Sequence, residues 1–134
     1  MKLEHQFFAH ARELGHTRAL ARTFLNNHGW PSDRVEEIVL AIDEACQNII
    51  RHAYQGECDA PITLQIRLHG DELVIVLEDN APAVSPDCMS PRAFDDIRPG
   101  GLGCHFIQQV MNTVAMTPSP TGQGNILQMI AHRE

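Results

Sequence analysis

Residues 62–79, ITLQIRLHGDELVIVLED, predict two antiparallel β-strands joined by a tight turn. Apolar and polar residues alternate strictly from 62 to 69, which is the pattern of a strand with one buried face. Glycine at the first central position of the Gly70-Asp71 pair favours a type II′ turn. The returning strand, residues 73–77, is apolar throughout before Glu78-Asp79, and we expect it to be buried at the centre of a sheet.

Two helices are predicted before this hairpin. Residues 11–27 carry apolar side chains at near-helical spacing. The second helix is expected from about residue 33 to 54, with a capping box formed by Asp33 and Glu36 at its start and Gly56 at its end. Its apolar stripe comprises Val35, Ile38, Val39, Ile42, Cys46, Ile49 and Ala53.

Shorter elements complete the chain. An edge strand is expected over residues 3–9, a short helix over 102–111, and a final hairpin with arms at 113–117 and 126–132. Residues 80–103 hold four prolines and three glycines in 24 positions, so a long irregular connection is expected there.

The length and composition are those of one folded domain, residues 1–134. Hairpins take the place of an alternating strand-helix-strand order, which argues against a parallel sheet. We therefore predict an α+β fold: a two-layer sandwich whose mixed, mostly antiparallel sheet has helices on one face.

The chain is acidic, with 17 Asp and Glu against 10 Lys and Arg and a formal net charge of −7. This charge repels nucleic-acid phosphates, so direct DNA or RNA binding is not expected. No apolar signal core or membrane-length stretch is found, which predicts a soluble, cytoplasmic protein with no membrane contact. The four cysteines lack a CxxC pair and the eight histidines lack metal-ligand spacing. Reduced structural thiols are therefore expected, and a zinc site is not.

The second helix carries the first candidate site. Glu44 and Asn48 are four residues apart and project side by side, together with Glu37 and Arg51, from the face opposite the apolar stripe. Asparagine offers a neutral oxygen ligand for Mg²⁺, and glutamate can accept a proton from a hydroxyl that attacks a phosphate. Periodicity alone favours a simpler interpretation, in which this face is merely solvated.

Two further segments have the chemistry of a ligand site. Asp79 emerges from a buried strand into a loop, where its carboxylate can accept a hydrogen bond from a ligand amine, although Asp-Asn pairs also form ordinary turns. Residues 98–103, RPGGLG, open directly into a helix, so their backbone N–H groups can receive phosphate oxygens. A plain turn with positive φ is the alternative for these glycines.

In this order the three segments resemble the N, G1 and G2 boxes of the ATPase superfamily that includes DNA gyrase, histidine kinases and MutL. Within that superfamily the chain resembles the anti-sigma-factor serine kinases over nearly its whole length. The similarity lies in the strand ending at Glu78-Asp79 and in VEEIVLAIDEACQNIIRHAY (35–54), RPGGLGCHFIQQVMNTV (98–114) and GQGNILQMIAHR (122–133). The resemblance implies a histidine-kinase-like ATPase fold that holds ATP between helices beneath a lid loop.

The resemblance also implies a role for each matching residue. Asn48 would be the Mg²⁺ ligand, Glu44 the general base for phosphoryl transfer, and Asp79 the residue that binds the adenine amino group of ATP. Ala81 would border the adenine at a position where the family usually has glycine, so nucleotide affinity depends on whether glycine's backbone freedom is needed there. The other expected nucleotide contacts are Arg51 and His52, one helical turn beyond Asn48, and Gly100, Gly101, Leu102 and Gly103, in the lid and at the start of the last helix.

A regulatory role follows from the same resemblance. In such kinases the γ-phosphate of ATP passes to a serine of a STAS-type anti-anti-sigma partner, and the unphosphorylated partner competes with a sigma factor for the kinase. Relatives dimerise, which makes a homodimer an expectation. Two alternatives stay open. One is a non-catalytic module of the same fold that sequesters a sigma factor or STAS protein, for which Ala81 is the main support. The other is the ATPase part of a histidine kinase, disfavoured because no phosphoacceptor-histidine helix precedes the domain.

Overall fold

The computed structural model describes residues 1–82, 101–120 and 123–133, with the backbone alone for 101–105. A 3₁₀ turn (Ala11–Glu13) precedes the first α-helix, and a π-helical turn (Ile49–Ala53) follows the second. The described elements are β1 (Lys2–Phe8), α1 (Leu14–Asn27), α2 (Ser32–Asn48), β2 (Pro61–His69), β3 (Glu72–Asp79), α3 (Gly101–Val110), β4 (Thr113–Pro118) and β5 (Asn125–His132).

The strands form one sheet in the order β1-β2-β3-β5-β4, so β3 is central as predicted. All four pairings between the described strands are antiparallel, the arrangement that the sequence predicts to dominate. His69 pairs with Glu72 across a two-residue turn. Gly70 has φ 62 and Asp71 is not among the residues with positive φ, which fits the type II′ turn predicted for this hairpin.

The core lies between the helices and one face of the sheet. Alternate apolar residues of β2 and β3, from 62 to 66 and from 73 to 77, are fully buried on that face, and the helices contribute apolar side chains from the other side. The sheet residues of this core include Ile62, Leu64, Ile66, Leu73, Ile75 and Leu77, and its helix residues include Leu25, Ile38, Ile42 and Ile107. The predicted two-layer α+β sandwich is confirmed.

Helix α2 begins one residue earlier than predicted, and the predicted capping box is wrong. Its first residue is Ser32, the preceding Pro31 is extended, and no side chain caps the helix by a hydrogen bond. The carboxylate of Glu36 instead accepts two hydrogen bonds from Arg22 of α1, at 2.9 and 3.1 Å. The box partner of Asp33 is thus engaged in a contact between helices, which local sequence spacing does not reveal.

The end of this helix also differs from the prediction of one regular helix to residue 54. The α-helix stops at Asn48 and continues as a π-helical turn, Ile49–Ala53, in which the N–H of Tyr54 donates to the carbonyl of Ile49 at 2.9 Å. Gln55 and Gly56 then have φ 60 and φ 128, so the predicted stop at Gly56 is confirmed. The wider turn sets the direction in which Tyr54 leaves the helix.

Two properties of the described residues concern the environment of the protein. Cys46 and Cys58 are free thiols, whereas Cys88 and the side chain of Cys104 lie outside the description, and the reduced state of the four cysteines stays a prediction. No helix in the described part of the chain has the length and apolar character needed to cross a membrane.

Candidate nucleotide-binding site

Glu44 and Asn48 lie on a helix face that is only partly solvated. The side chain of Glu44 is 31% exposed, compared with 52% for Glu37 two turns earlier on α2. The side-chain oxygen of Asn48 is buried. The solvated-face interpretation therefore fits Glu37 but not the pair at residues 44 and 48, which forms a half-enclosed polar surface.

A hydrogen-bond network supports this surface and includes two residues that the sequence did not single out. Asp43 is buried and accepts hydrogen bonds from Arg18 of α1 at 2.8 Å and from Gln47 at 2.6 Å. The amide oxygen of Gln47 in turn accepts a hydrogen bond from Arg51 at 3.3 Å. This chain of contacts leads to Glu44, whose carboxylate lies 3.9 Å from the Arg51 guanidinium. Arg51 thus shares a face with Glu44, as the sequence predicted.

Asp79 ends β3 as a buried carboxylate. Its Oδ1 accepts hydrogen bonds from the N–H of Ala81 at 2.9 Å and from the side-chain amide of Asn125 at 3.0 Å. Burial raises the pKa of Asp79 above its ordinary value, and these hydrogen bonds oppose that effect. Gly124 approaches the Asp79 carbonyl so closely that a Cβ at residue 124 would overlap its oxygen. Asp79 is thus held in place from two sides, its own loop and β5.

Ala81 occupies its position without any conformation reserved for glycine. The residue is buried, and Gln55 is the one non-glycine residue with positive φ in the described ranges. Its methyl group therefore fills space beside Asp79 and does not distort the backbone. The sequence-based concern about the missing glycine of the G1 box finds no support in the backbone of Ala81.

Tyr54 joins the helix that carries Glu44 and Asn48 to the loop after Asp79. Its hydroxyl donates to the carbonyl of Pro61 at 2.7 Å and accepts a hydrogen bond from the N–H of Asn80, also at 2.7 Å. Sequence reasoning missed this contact. The available signal was that the chain has a single tyrosine, placed directly after the candidate helix.

The remaining predicted contacts are described in part. Gly101, Leu102 and Gly103 form the first turn of α3, so the helix begins where the glycine-rich segment predicts it, whereas Gly100 lies outside the described residues. His52 is an exposed residue of the π-helical turn. A nucleotide contact by any of these residues stays a prediction.

The donor set fits Mg²⁺ bound together with a nucleotide. In the ranges that the structure describes, no group of three or more His, Cys, Asp or Glu side chains is arranged to hold a metal ion. The buried amide oxygen of Asn48, with the Glu44 carboxylate one turn away, offers a small number of hard oxygen ligands. Mg²⁺ takes one or two such protein ligands and completes its octahedron with phosphate oxygens and waters.

A helix with Glu and Asn one turn apart, joined through Tyr54 to the loop after a strand-end Asp, fits the arrangement of a histidine-kinase-type ATPase. The sequence profile of the histidine kinase-like ATPase domain matches residues 7–131. The chain therefore belongs to the histidine kinase-like ATPase domain family, as the resemblance implied.

Within this family, the chain is similar to curated serine-protein kinases named RsbW. Serine-protein kinase RsbW of Halalkalibacterium halodurans is 27% identical over 111 residues, an alignment that covers 77% of this chain and 67% of that protein. RsbW of Bacillus subtilis is 25% identical over 113 residues, covering 71% of each chain. RsbW of Listeria innocua is 27% identical over 96 residues, which is 66% of this chain and 61% of the relative. The chain thus spans from about three fifths to seven tenths of these relatives.

Solved structures agree with the fold. The RsbU and RsbW domains of a Mycobacterium tuberculosis protein superpose with a TM-score of 0.70 at 15% identity, over 98% of this chain and 32% of that one. The SiaB-SiaC complex from Pseudomonas aeruginosa gives a TM-score of 0.67 at 12% identity, over 96% of this chain and 88% of the other. At such identities the match concerns the fold alone.

Proposed function

We propose that this protein is a Mg²⁺- and ATP-dependent protein serine kinase of the anti-sigma type. It phosphorylates a serine of a STAS-type anti-anti-sigma partner, and it binds a sigma factor when that partner is phosphorylated. Membership of the ATPase family and similarity to serine-protein kinases named RsbW support the activity. A cytoplasmic location, where sigma factors act, is part of the proposal.

The observation that carries the proposal is the joining of two half-sites. Glu44 and Asn48 on α2 supply a carboxylate and a neutral oxygen, and Asp79 at the end of β3 supplies a buried acceptor. The hydroxyl of Tyr54, just after the helix, accepts a hydrogen bond of 2.7 Å from the N–H of Asn80, just after β3, and so connects the two half-sites. A ligand with a base at one end and phosphates at the other matches such a pair of half-sites.

The chemistry required of the protein is small. When bound, Mg²⁺ would be held through Asn48 and would supply positive charge to the phosphate oxygens of ATP. The serine oxygen of the partner attacks the γ-phosphorus while the bond to the bridging oxygen of ADP breaks, and the Glu44 carboxylate accepts the serine proton. Arg51, 3.9 Å from Glu44, is within reach of the same phosphates. Gly101 and Gly103, in the first turn of α3, offer backbone N–H groups to anionic oxygens.

The proposed protein partners are inferred from the similar proteins. The RsbW proteins are named as serine-protein kinases, and one similar structure is a two-protein complex, SiaB with SiaC. We propose a STAS-type protein and a sigma factor as the two alternative partners of this chain, and a homodimer as its assembly. Light scattering on the purified chain measures the assembly directly.

Two linked measurements test the function. The thermal midpoint of the chain should rise when Mg²⁺-ATP is added, because a ligand at 100 times its Kd stabilises a fold by roughly 2.7 kcal/mol. The same preparation should transfer labelled γ-phosphate to a STAS protein from its own organism, and a partner whose target serine is alanine is the control. A thermal midpoint that does not change in millimolar Mg²⁺-ATP would favour the alternative of a non-catalytic binding module.

A further inference from the structure

We propose that Tyr54 is a positioning residue for the nucleotide. Its hydroxyl fixes the loop after Asp79 relative to the helix that carries Glu44 and Asn48, and so sets the distance between the base pocket and the phosphate site. The inference rests on the proposed function, because it requires that this site bind ATP.

The hydroxyl of Tyr54 makes two hydrogen bonds in series. It donates to the carbonyl of Pro61, the first residue of β2, and accepts from the N–H of Asn80, the residue after β3, each at 2.7 Å. Because the proton is directed at Pro61, a lone pair of the same oxygen is available to Asn80. The O–H···O bond to Pro61 has the usual length for its type, and the N–H···O bond from Asn80 lies at the short end of its range.

The second bond links the loop after Asp79 to the end of the helix that carries Glu44 and Asn48. The two N–H groups that follow Asp79 have different partners: that of Ala81 donates back to the Asp79 carboxylate, within the loop itself. That of Asn80 donates to Tyr54, at the end of the helix. A rotation of the loop about β3 would break this bond, so Tyr54 holds the orientation of the loop that carries Ala81, beside an Asp79 that β5 holds in place.

The π-helical turn at the end of the helix sets the position of the Tyr54 side chain. The chain leaves α2 through the π-helical turn Ile49–Ala53, and the N–H of Tyr54 closes that turn on the carbonyl of Ile49 at 2.9 Å. Gln55 follows with φ 60, so helical structure ends directly after the tyrosine. A π turn in an otherwise regular helix frequently marks a functional position.

The protonation state of Tyr54 suits the role. Burial raises the pKa of its phenol above the ordinary value of 10.0, the bond from Asn80 lowers it, and the carboxylate of Asp79 raises it further. The phenol is therefore protonated throughout the neutral range. Its donor bond to Pro61 persists at every pH at which a kinase of this kind would act.

The variant Tyr54→Phe removes the hydroxyl and keeps the ring. We expect its Kd for Mg²⁺-ATP to rise about three- to tenfold, the range that the loss of one hydrogen bond corresponds to. Its Kd for Mg²⁺-tripolyphosphate, which has no base, should equal that of the wild type. The matched control is Thr17→Val in α1. This variant removes a buried hydroxyl that donates to the carbonyl of Glu13, in the preceding 3₁₀ turn, at 3.0 Å. Its nucleotide affinity should be unchanged.

Each other outcome contradicts the proposal in a recognisable way. Equal Mg²⁺-ATP affinity of Tyr54→Phe and wild type would overturn it, and so would an equal loss of tripolyphosphate affinity, which indicates general damage. Failure of the wild type itself to bind Mg²⁺-ATP would overturn the proposed function and this inference with it. A measurement on the wild type is independent of variant folding: amide exchange by NMR should show the Asn80 N–H protected without nucleotide, and rapid exchange there would refute the bridge.

Discussion

Two carboxylates of the candidate site lie in different environments, and this difference supports the different roles proposed for them. Glu44 is partly exposed and faces the positive charge of Arg51 at 3.9 Å, so it is accessible to a partner's hydroxyl. Asp79 is buried and receives its hydrogen bonds from neutral amides. A partly exposed carboxylate suits proton transfer, whereas a buried acceptor in a fixed orientation suits recognition of a base.

The first prediction at this scale concerns Glu44. Glu44→Gln keeps the shape of the side chain and removes its basicity, so phosphate transfer to the partner should fall by about 100-fold or more. Nucleotide affinity should change little, because Asn48 and Asp79 remain. Single-turnover transfer and equilibrium ATP binding separate the two effects, and Glu37→Gln, on an exposed part of the same helix, serves as the control. Transfer by Glu44→Gln at the wild-type rate would disprove the base assignment.

The second concerns Asp79 and pH. Burial raises the pKa of Asp79 in the folded chain above its ordinary value of 3.8, which applies to the unfolded chain. At a pH between the unfolded-state pKa and the folded-state pKa, the folded chain therefore holds a proton that the unfolded chain has released. The Asp79 contribution to the free energy of unfolding therefore falls as pH rises through that window, and it stays low above the window. Asp79→Asn removes this effect while its amide oxygen can still accept from Ala81 and Asn125.

Asp79→Asn should accordingly be at least as stable as the wild type at neutral pH and yet bind Mg²⁺-ATP more weakly. The difference in thermal midpoint between the two proteins should shrink toward low pH. Midpoints recorded from about pH 3.5 to 8 measure it. A difference that grows on acidification would show that the pKa of Asp79 is lowered by folding.

Contacts between elements place these residues. Residue 124, just before β5, lies against the backbone at the end of β3, and Asn125 on β5 pairs with Asp79. On the other side, Arg34 of α2 donates to the carbonyls of Val110 at 2.8 Å and His132 at 3.1 Å. The start of β5 thus holds the end of β3 beside Asp79, and the Arg34 side chain ties α2 to the ends of α3 and β5.

A prediction at this scale uses Gly124. Gly124→Ala places a methyl group into the Asp79 carbonyl at φ 103, so it should destabilise the fold by about 2–4 kcal/mol and weaken ATP binding. Gly70→Ala is the matched control, because Gly70 also has positive φ but nothing lies within 4 Å of its Cβ position. The control should cost about 1 kcal/mol in chemical denaturation and leave ATP binding intact. Equal effects of both variants would mean that close approach at Gly124 is unimportant.

At the scale of the whole molecule, the site and the core share one helix. Cys46 is fully buried between Glu44 and Asn48 in the sequence, and burial raises the pKa of its thiol far above the ordinary value. The same helix thus buries its apolar face in the core and carries the proposed nucleotide site on its polar face. Ligand binding on α2 must therefore stabilise the core as a unit.

Thiol labelling tests this coupling. In a variant with Cys58→Ser, Cys88→Ser and Cys104→Ser, Cys46 should react with a thiol reagent only when the fold opens. Mg²⁺-ATP at about 100 times its Kd should slow labelling by about 100-fold, and ATP with a chelator should not. Rapid labelling of Cys46 at the same rate with and without Mg²⁺-ATP would show that α2 opens independently of the site.

Local periodicity determined the elements of this protein. Strict alternation in β2 and the Gly70-Asp71 turn predicted the central hairpin, and the apolar stripe of α2 predicted the helix that carries Glu44 and Asn48. The order of these segments indicated the ATPase family. Such signals are readable because residues that share a face of a strand or helix recur at two or about 3.6 positions.

The tertiary structure alone decided how the half-sites are joined. The bonds Arg18 to Asp43, Asn80 to Tyr54 and Asn125 to Asp79 link residues 25, 26 and 46 positions apart. No periodic pattern marks such pairs, because their partners meet only when α1, α2, β3 and β5 come together. The same reason explains why the capping box predicted at Asp33 is wrong: the carboxylate of Glu36 accepts a hydrogen bond from Arg22 on another helix. Sequence placed the reactive residues on their elements, and packing between the elements set their partners, their burial and their orientation.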